Sequence, residues 1–157
     1  MPAEIERKFL VNNENWRKKV CRQKKIVQGY LANTERGSIR VRVSGENAYL
    51  NIKSMTLGIQ RTEFEYPIPL DDAYYMLENL CQQPVIEKTR YIVEQDQHLW
   101  EIDVFDGENS GLIVAEIELS STEEDFHKPD WVGTEVSHDP RYYNVRLVYE
   151  PFSQWQE

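Results

Sequence analysis

The chain has 157 residues, of which 40% are hydrophobic, and a net charge of −9 at neutral pH. The length predicts a single domain, residues 1–157, and the apolar content excludes a disordered chain. The acidic balance argues against a nucleic-acid surface, which needs a basic footprint. With no long apolar run and no basic apolar leader, the sequence predicts a cytoplasmic protein without a membrane partner.

Charged residues recur at alternate positions along the chain, with apolar or aromatic residues between them. An alternation of period two predicts β-strands that have one charged face and one apolar face. One of the stretches, 28–31, is polar but uncharged. In chain order the predicted strands are 4–9, 28–31, 39–43, 50–53, 61–66, 88–91, 101–104 and 115–119.

A first helix is predicted to begin at Asn12 or Asn13, whose side chains can cap it, with Trp16 and Val20 facing inward. The basic run 17–25 is interpreted as a solvated helix face and loop.

Further helices are predicted later in the chain. The clearest covers 71–80, with Asp71 as its cap. Its predicted inward stripe is Ala73, Met76, Leu77 and Leu80. The capping-box spacing at 121–124 predicts a short helix that ends near Pro129. The aromatic tail 142–157 is expected to form a short closing helix or plug.

Glycines and cysteines add two smaller expectations. Gly58, Gly107 and Gly111 predict turns. Cys21 and Cys81 fall in helix-like segments without CxxC spacing, and they are expected to be free thiols.

Most predicted strands follow one another without an intervening helix, which favours a closed antiparallel sheet over a βαβ fold. The expected architecture is mainly β with flanking helices: a barrel of about eight strands with a charged lumen and an apolar coat. The alternative is an ordinary antiparallel sheet whose charged face meets solvent. Against it, like charges lie two apart on several strands, for example Arg40 and Arg42, and would repel unless a neighbouring strand or a ligand supplied counter-charge.

The predicted lumen is nearly neutral, with acidic and basic residues in similar number. The acidic residues are Glu4, Glu6, Glu63, Glu65, Glu101, Asp103, Glu116 and Glu118. The basic residues are Lys8, Arg40, Arg42, Lys53, Arg61, Lys88 and Arg90. Such a lumen suits divalent metal together with a polyphosphate, whose charges would nearly cancel.

Residue type assigns roles within this lumen. The planar fork of arginine matches two phosphate oxygens, and lysine adds a point charge. The predicted substrate-binding residues are Lys8, Tyr30, Arg40, Arg42, Lys53, Arg61, Lys88 and Arg90. Lys8 and Lys88 are expected to act in catalysis by holding a phosphate, while Glu63 or Glu65 deprotonates the attacking water.

Carboxylates without histidine or cysteine favour Mg²⁺ or Mn²⁺ over zinc, with one or two ions. The predicted metal ligands are Glu4, Glu6, Asp103, Glu116 and Glu118. Most of them come from the first and last predicted strands, which must be neighbours if the barrel closes.

The segment 4–8 resembles the ExExK signature of the CYTH superfamily, the triphosphate tunnel metalloenzymes. Further similar segments follow in the family's order and extend the resemblance over nearly the whole chain. They are 28–31, 40–42, Lys53, 63–65, 87–91, 101–105, 114–118, 133–136 and 139–144. The resemblance implies an eight-stranded antiparallel tunnel that binds triphosphate with a divalent metal.

The superfamily hosts several reactions, and short bacterial chains similar to this one mostly hydrolyse inorganic triphosphate, which is the activity expected here. The alternatives are an adenylate cyclase, a thiamine or nucleoside triphosphatase, and a polyphosphate-binding module without turnover. Tyr30, Trp100 and Trp131 are candidates to stack an organic ring, although core packing is the expected use of each tryptophan. A homodimer would cover part of the apolar outer face.

Overall fold

A computed structural model of the protein describes residues 3–54 and 59–155. Within them, nine antiparallel strands form one sheet. The strands are β1 (Ala3–Val11), β2 (Val20–Asn33), β3 (Gly37–Ser44), β4 (Asn47–Ser54), β5 (Gln60–Pro67), β6 (Ile86–Gln95), β7 (His98–Phe105), β8 (Ile113–Glu118) and β9 (Val132–Glu135). The α-helices are α1 (Leu70–Asn79) and α2 (Asn144–Tyr149). Short 3₁₀ helices cover Asn15–Lys19, Gly107–Asn109, Pro140–Tyr142 and Phe152–Gln154.

The sheet closes on itself through β1. The strand order is β5-β4-β3-β2-β6-β7-β8-β1, and the beginning of β1 also pairs with β5, where Glu4 lies opposite Arg61. The predicted closed eight-stranded barrel is therefore confirmed, and each predicted strand overlaps one of β1 to β8, with only Leu119 falling past the end of β8. The ninth strand, β9, was not predicted from the charge alternation because it lacks one; it pairs with the end of β1.

The apolar faces of the strands point outward and are covered in patches, as the alternation predicts. On one side Trp100, Ile102 and Ile117 pack under Trp131, which belongs to the segment between β8 and β9. On another side α1 packs on β3 and β4, and α2 packs over one end of the barrel. No helix in the described ranges is long and apolar enough to cross a membrane.

The predicted first helix is wrong beyond Trp16. A 3₁₀ helix, Asn15–Lys19, takes its place, and Glu14 precedes it without a side-chain cap. Trp16 is buried as expected, but the chain then enters β2 at Val20. Much of the basic run, with Cys21, therefore lies in a strand, because β6 pairs with it and this pairing overrides the local preference.

The later helix predictions are confirmed in part. α1 begins after Pro69, whose carbonyl accepts the amide of Ala73 at 3.1 Å, so Asp71 is not its cap. Leu80 is 57% exposed, outside the buried stripe. The predicted helix at 121–129 is absent, since Glu124 instead accepts hydrogen bonds from the backbone and hydroxyl of Ser120 in a turn. The closing helix in the tail is confirmed as α2.

The predicted turns at Gly107 and Gly111 are confirmed by positive φ angles of 61° and 98°. Gly58 lies outside the described residues. Both cysteines are free thiols, as predicted, and Cys81 lies two residues after the end of α1.

Gly29 of β2 lies in close contact with α1 and with Cys81, which follows the helix. A Cβ atom there would lie 2.8 Å from Cys81 Cβ and 3.2 Å from Leu77 Cδ2.

Gly29→Ala should therefore cost about 1–3 kcal/mol of the free energy of unfolding through overpacking, whereas alanine usually stabilises an uncrowded strand. Urea denaturation measures the change. Cys81→Gly in the same chain should recover part of the loss, and a Gly29→Ala protein as stable as the parent would contradict this contact.

Candidate active site

The lumen contains a cavity of about 220 Å³ that is lined mainly by charged side chains. It brings together every predicted site residue except Asp103. Those residues are Glu4, Glu6, Lys8, Tyr30, Arg40, Arg42, Lys53, Arg61, Glu63, Glu65, Lys88, Arg90, Glu116 and Glu118. Alternate positions on the strands share a face, so the pattern that predicted the strands also gathers these side chains.

Carboxylates from β1 and β8 meet across a shared strand pair. Glu6 lies opposite Glu118, and Lys8 lies opposite Glu116 with its Nζ atom 3.6 Å from a carboxylate oxygen. Burial, with Glu116 nearby, raises the pKa of Glu6 to about 8, so Glu6 is protonated at neutral pH and hydrogen-bonds to Glu116. Although burial opposes it, Lys8 and Arg90 hold the pKa of Glu116 well below its usual range.

A second charged cluster lies where β1 meets β4 and β5. Lys53 Nζ lies 3.0 Å from Glu4 Oε1 and 3.4 Å from Glu63 Oε2. Glu65, further along β5, accepts a hydrogen bond from Asn51 Nδ2 at 2.7 Å. One lysine thus holds two carboxylates at the cavity wall.

Asp103 does not line the cavity but lies behind two of its cations. Its Oδ1 accepts from Arg90 Nε at 2.8 Å, and its Oδ2 accepts from Arg90 Nη2 at 2.9 Å and from Lys88 Nζ at 2.7 Å. Burial would raise the pKa of Asp103, but Arg90 and Lys88 lower it to about 2. Burial lowers the pKa of Lys88 to about 7 despite the attraction of Asp103. Both carboxylate oxygens are therefore already bonded to cations.

The segment that leads into α2 covers one end of the cavity. Lys8 Nζ donates to the carbonyl oxygen of Tyr142 at 3.2 Å. The guanidinium carbon of Arg61 lies 4.6 Å from the ring centre of Tyr143. Tyr143, Asn144 and Val145 all line the cavity. The last residues of the segment 139–144, which the sequence marked only by resemblance, thus form part of the site.

Lys24, Ser38 and Ser54 also line the cavity and were missed. The signal for Lys24 was present: Arg22 and Lys24 continue the period of two upstream of Gln28, but they were interpreted as a helix face. Ser38 lies two residues before Arg40 on β3, on the same face, and being uncharged it gave no signal.

The arrangement of the basic side chains favours the binding of an anion. Among the described residues, the buried Arg40 Nε has no hydrogen-bond partner, and leaving such a group unpaired is costly. Burial, with Arg40 and Arg90 nearby, lowers the pKa of Arg42 to about 9, which still leaves Arg42 charged at neutral pH. A phosphate oxygen would pair with Arg40 and relieve the repulsion between the guanidinium groups.

The acidic side chains fit a hard divalent cation by their chemistry. Glu4, Glu6, Glu116 and Glu118 supply only oxygen donors, the kind that Mg²⁺ and Mn²⁺ prefer. Within residues 3–54 and 59–155, no three acidic, histidine or cysteine side chains converge closely enough to hold a metal ion. The raised pKa of Glu6 beside Glu116 shows that the two carboxyl groups lie close enough for a cation to replace the proton they share.

Comparisons with known proteins agree with this architecture. The CYTH domain model matches residues 2–143. The inorganic triphosphatase of Acetivibrio thermocellus is 45% identical over 157 residues, which is 100% of each chain. The inorganic triphosphatase of Nitrosomonas europaea is 36% identical over 150 residues, covering 93% of this chain and 97% of its own. A crystal structure of an inorganic triphosphatase matches with a TM-score of 0.69 at 35% identity, over 92% of this chain and 97% of that one.

The cluster of Asp103, Lys88 and Arg90 yields a stability prediction. Asp103→Ala removes the carboxylate paired with buried Lys88 and leaves buried Arg90 with Glu101 alone, at 3.3 Å, so it should cost about 3–5 kcal/mol of the free energy of unfolding. The control is Glu14→Ala, because Glu14 pairs with exposed Arg17 at 3.1 Å and its side chain makes no capping hydrogen bond, so its loss should change stability little. Urea denaturation of both proteins is the measurement, and equal losses would contradict the role given to Asp103.

Proposed function

The chain belongs to the CYTH domain family, and on that premise we propose that it hydrolyses inorganic triphosphate to pyrophosphate and phosphate inside the barrel. The observation that carries the proposal is the cavity inside the barrel, in which arginines and lysines face carboxylates. The two curated relatives named above, both called inorganic triphosphatases, support the same activity, and they make the chain an enzyme of the hydrolase class.

The size of the cavity supports an inorganic substrate over a nucleotide. Sites for organic ligands commonly enclose about 300–1,000 Å³, whereas this cavity has about 220 Å³. Trp100 and Trp131 lie in the outer apolar cluster rather than at the cavity, so neither can stack a substrate ring. Tyr30 does line the cavity, but it is 4% exposed and packs against the covered end. These facts weigh against the cyclase and thiamine triphosphatase alternatives.

The basic residues are proposed to hold the phosphates. Arg40 and Arg42 extend from β3, and Lys88 and Arg90 extend from β6, so the cations approach the cavity from different strands. Lys8, Tyr30, Lys53 and Arg61 complete the proposed binding set. An array spread over several strands can contact three linked phosphates at once, which favours triphosphate over pyrophosphate.

Glu4, Glu6, Glu116 and Glu118 are proposed to bind one or two Mg²⁺ or Mn²⁺ ions. When bound, such an ion would neutralise charge on the phosphate oxygens. Asp103 is left out of the proposed ligand set, since its oxygens are taken by Lys88 and Arg90. We assign it the role of fixing these two cations instead.

The protein's own side chains would then position the reacting groups. Lys8 and Lys88 hold phosphate oxygens, and either Glu63 or Glu65, which both face the cavity, accepts a proton from the attacking water. A homodimer and a cytoplasmic location stay predictions.

Loss of a proposed metal ligand should abolish most of the activity. Glu116→Gln and Glu6→Gln should each lower kcat/KM for tripolyphosphate by more than about 100-fold, because a missing ligand removes several kcal/mol of transition-state stabilisation. Phosphate release at saturating Mg²⁺ or Mn²⁺ measures the loss. Glu94→Gln, at an exposed position of β6, is the matched control and should keep parental activity. Near-normal turnover of both cavity variants would remove these glutamates from the metal site.

Comparing substrates tests the proposed function directly. With one metal condition, kcat/KM for tripolyphosphate should exceed that for pyrophosphate, ATP and thiamine triphosphate by about tenfold or more, because unpaired enclosed charge is costly and the cavity is small. If ATP is used at least about tenfold better and cyclic AMP forms, the protein is a cyclase. If no phosphate is released from any of them with Mg²⁺ or Mn²⁺, the binding-module alternative replaces the enzyme.

A further inference from the structure

Asn144, the first residue of α2, joins the covering segment to two buried side chains of the barrel. Its Oδ1 atom accepts hydrogen bonds from Lys88 Nζ at 2.9 Å and from Gln28 Nε2 at 2.8 Å. Lys88 and Gln28 are both 0% exposed and lie on the paired strands β6 and β2. One amide oxygen therefore ties two neighbouring strands to the segment that covers the cavity.

The hydrogen bonds continue from Gln28 to Arg42. Gln28 Oε1 accepts from Arg42 Nε at 2.9 Å. Arginine and lysine can only donate hydrogen bonds. Gln28 must therefore present its oxygen to Arg42 and its NH₂ group to Asn144, and Asn144 must present its oxygen to both donors. The two cations thus force the orientation of both amides, and no other arrangement satisfies all three contacts.

Lys88, Asn144, Gln28 and Arg42 thus form a relay of hydrogen bonds. The cations at its two ends, Lys88 and Arg42, both line the cavity. Lys88 is held from behind by Asp103 and from the covered end by Asn144. Arg42 gives its Nε–H to Gln28, which fixes the plane of the guanidinium, and within residues 3–54 and 59–155 no hydrogen bond occupies its two terminal nitrogens, so they can meet a phosphate. A bidentate contact depends on that plane, because both N–H groups must meet their oxygens together.

The segment that carries Asn144 is itself well anchored. The hydroxyl of Tyr143 donates to the carbonyl of Ser137 at 2.8 Å. Beyond α2, the amide of Phe152 donates to the side chain of Asn109 at 2.8 Å, and Leu147 is fully buried between these anchors. A positioning group acts well only where its own support is rigid, and these contacts provide that support.

We infer that Asn144 is a positioning residue for phosphate binding: it holds Lys88 directly and Arg42 through Gln28, so that the covering segment sets the separation of two phosphate-binding cations. This inference rests on the proposed function of the cavity. A merely structural role for Asn144, as the start of α2, would affect stability alone.

The test compares Asn144→Ala with Arg146→Ala. Arg146 is an exposed residue of the same helix that does not line the cavity, so it controls for changes to α2. Asn144→Ala should lower kcat/KM for tripolyphosphate by about 10- to 100-fold, the scale of a small misplacement of a binding group. It should also weaken tripolyphosphate binding, measured by calorimetry with Mg²⁺ and with EDTA. Arg146→Ala should match the parent in both assays.

A second variant tests the relay from the strand side. In Gln28→Met the new side chain has a similar volume but cannot hydrogen-bond to Arg42 or Asn144 as the amide does. This variant alone should therefore weaken tripolyphosphate binding. It also provides the test if Asn144→Ala does not fold. Because the two amides act in series on Arg42, the double variant should lose less than the product of the two single effects. Independent, multiplicative losses would overturn the relay.

The remaining outcomes separate the two proposals. If the parent binds tripolyphosphate but releases no phosphate, the proposed function fails. Weaker binding by Asn144→Ala than by Arg146→Ala would then still support the inference, and equal binding would overturn it. If the parent hydrolyses tripolyphosphate while Asn144→Ala and Gln28→Met bind and turn over like Arg146→Ala, the inference is overturned and the proposed function stands. If the parent neither binds nor hydrolyses it, both fail.

Discussion

Charged side chains enclosed in a barrel stay charged only where an opposite charge lies within reach, because the removal of each ion from water costs several kcal/mol. Asp103 meets this requirement for Lys88 and Arg90 together, and Lys53 meets it for Glu4 and Glu63. These pairs allow the strands to turn their charged faces inward. The apolar faces must then point outward, and the rest of the fold covers them.

The cover is built from elements outside the barrel. α1 packs on β3 and β4, the segment between β8 and β9 packs Trp131 against Trp100, and α2 packs over one end. A barrel with a charged lumen therefore requires an external apolar layer, which is the reverse of an ordinary small barrel. The close approach of α1 to Gly29 shows how tightly this layer fits.

The charged side chains of the lumen are not all paired with one another where the substrate is proposed to bind. Arg40 Nε is buried without a partner among the described residues, while Glu6 keeps its proton beside Glu116. The first feature suits an anion and the second suits a cation. A triphosphate with a divalent metal would satisfy both, so these two unfavourable features of the free barrel are ones that its proposed ligands would stabilise.

The sequence by itself determined the eight strands of the barrel, most of the charged residues that face its lumen and the family, because an alternation of period two is local and each charged position in it indicates which face the residue occupies. Only the tertiary structure decided what depends on pairing between distant segments. The opposition of Arg90 and Asp103 across β6 and β7 lets Arg90 bond both oxygens of Asp103. The pairing of β2 with β6 turns a basic run that reads as a helix into a strand, and the return of the tail brings Asn144 to Lys88. The register between strands and the path of the closing segment depend on contacts between residues far apart in the sequence, so no local sequence pattern predicts them.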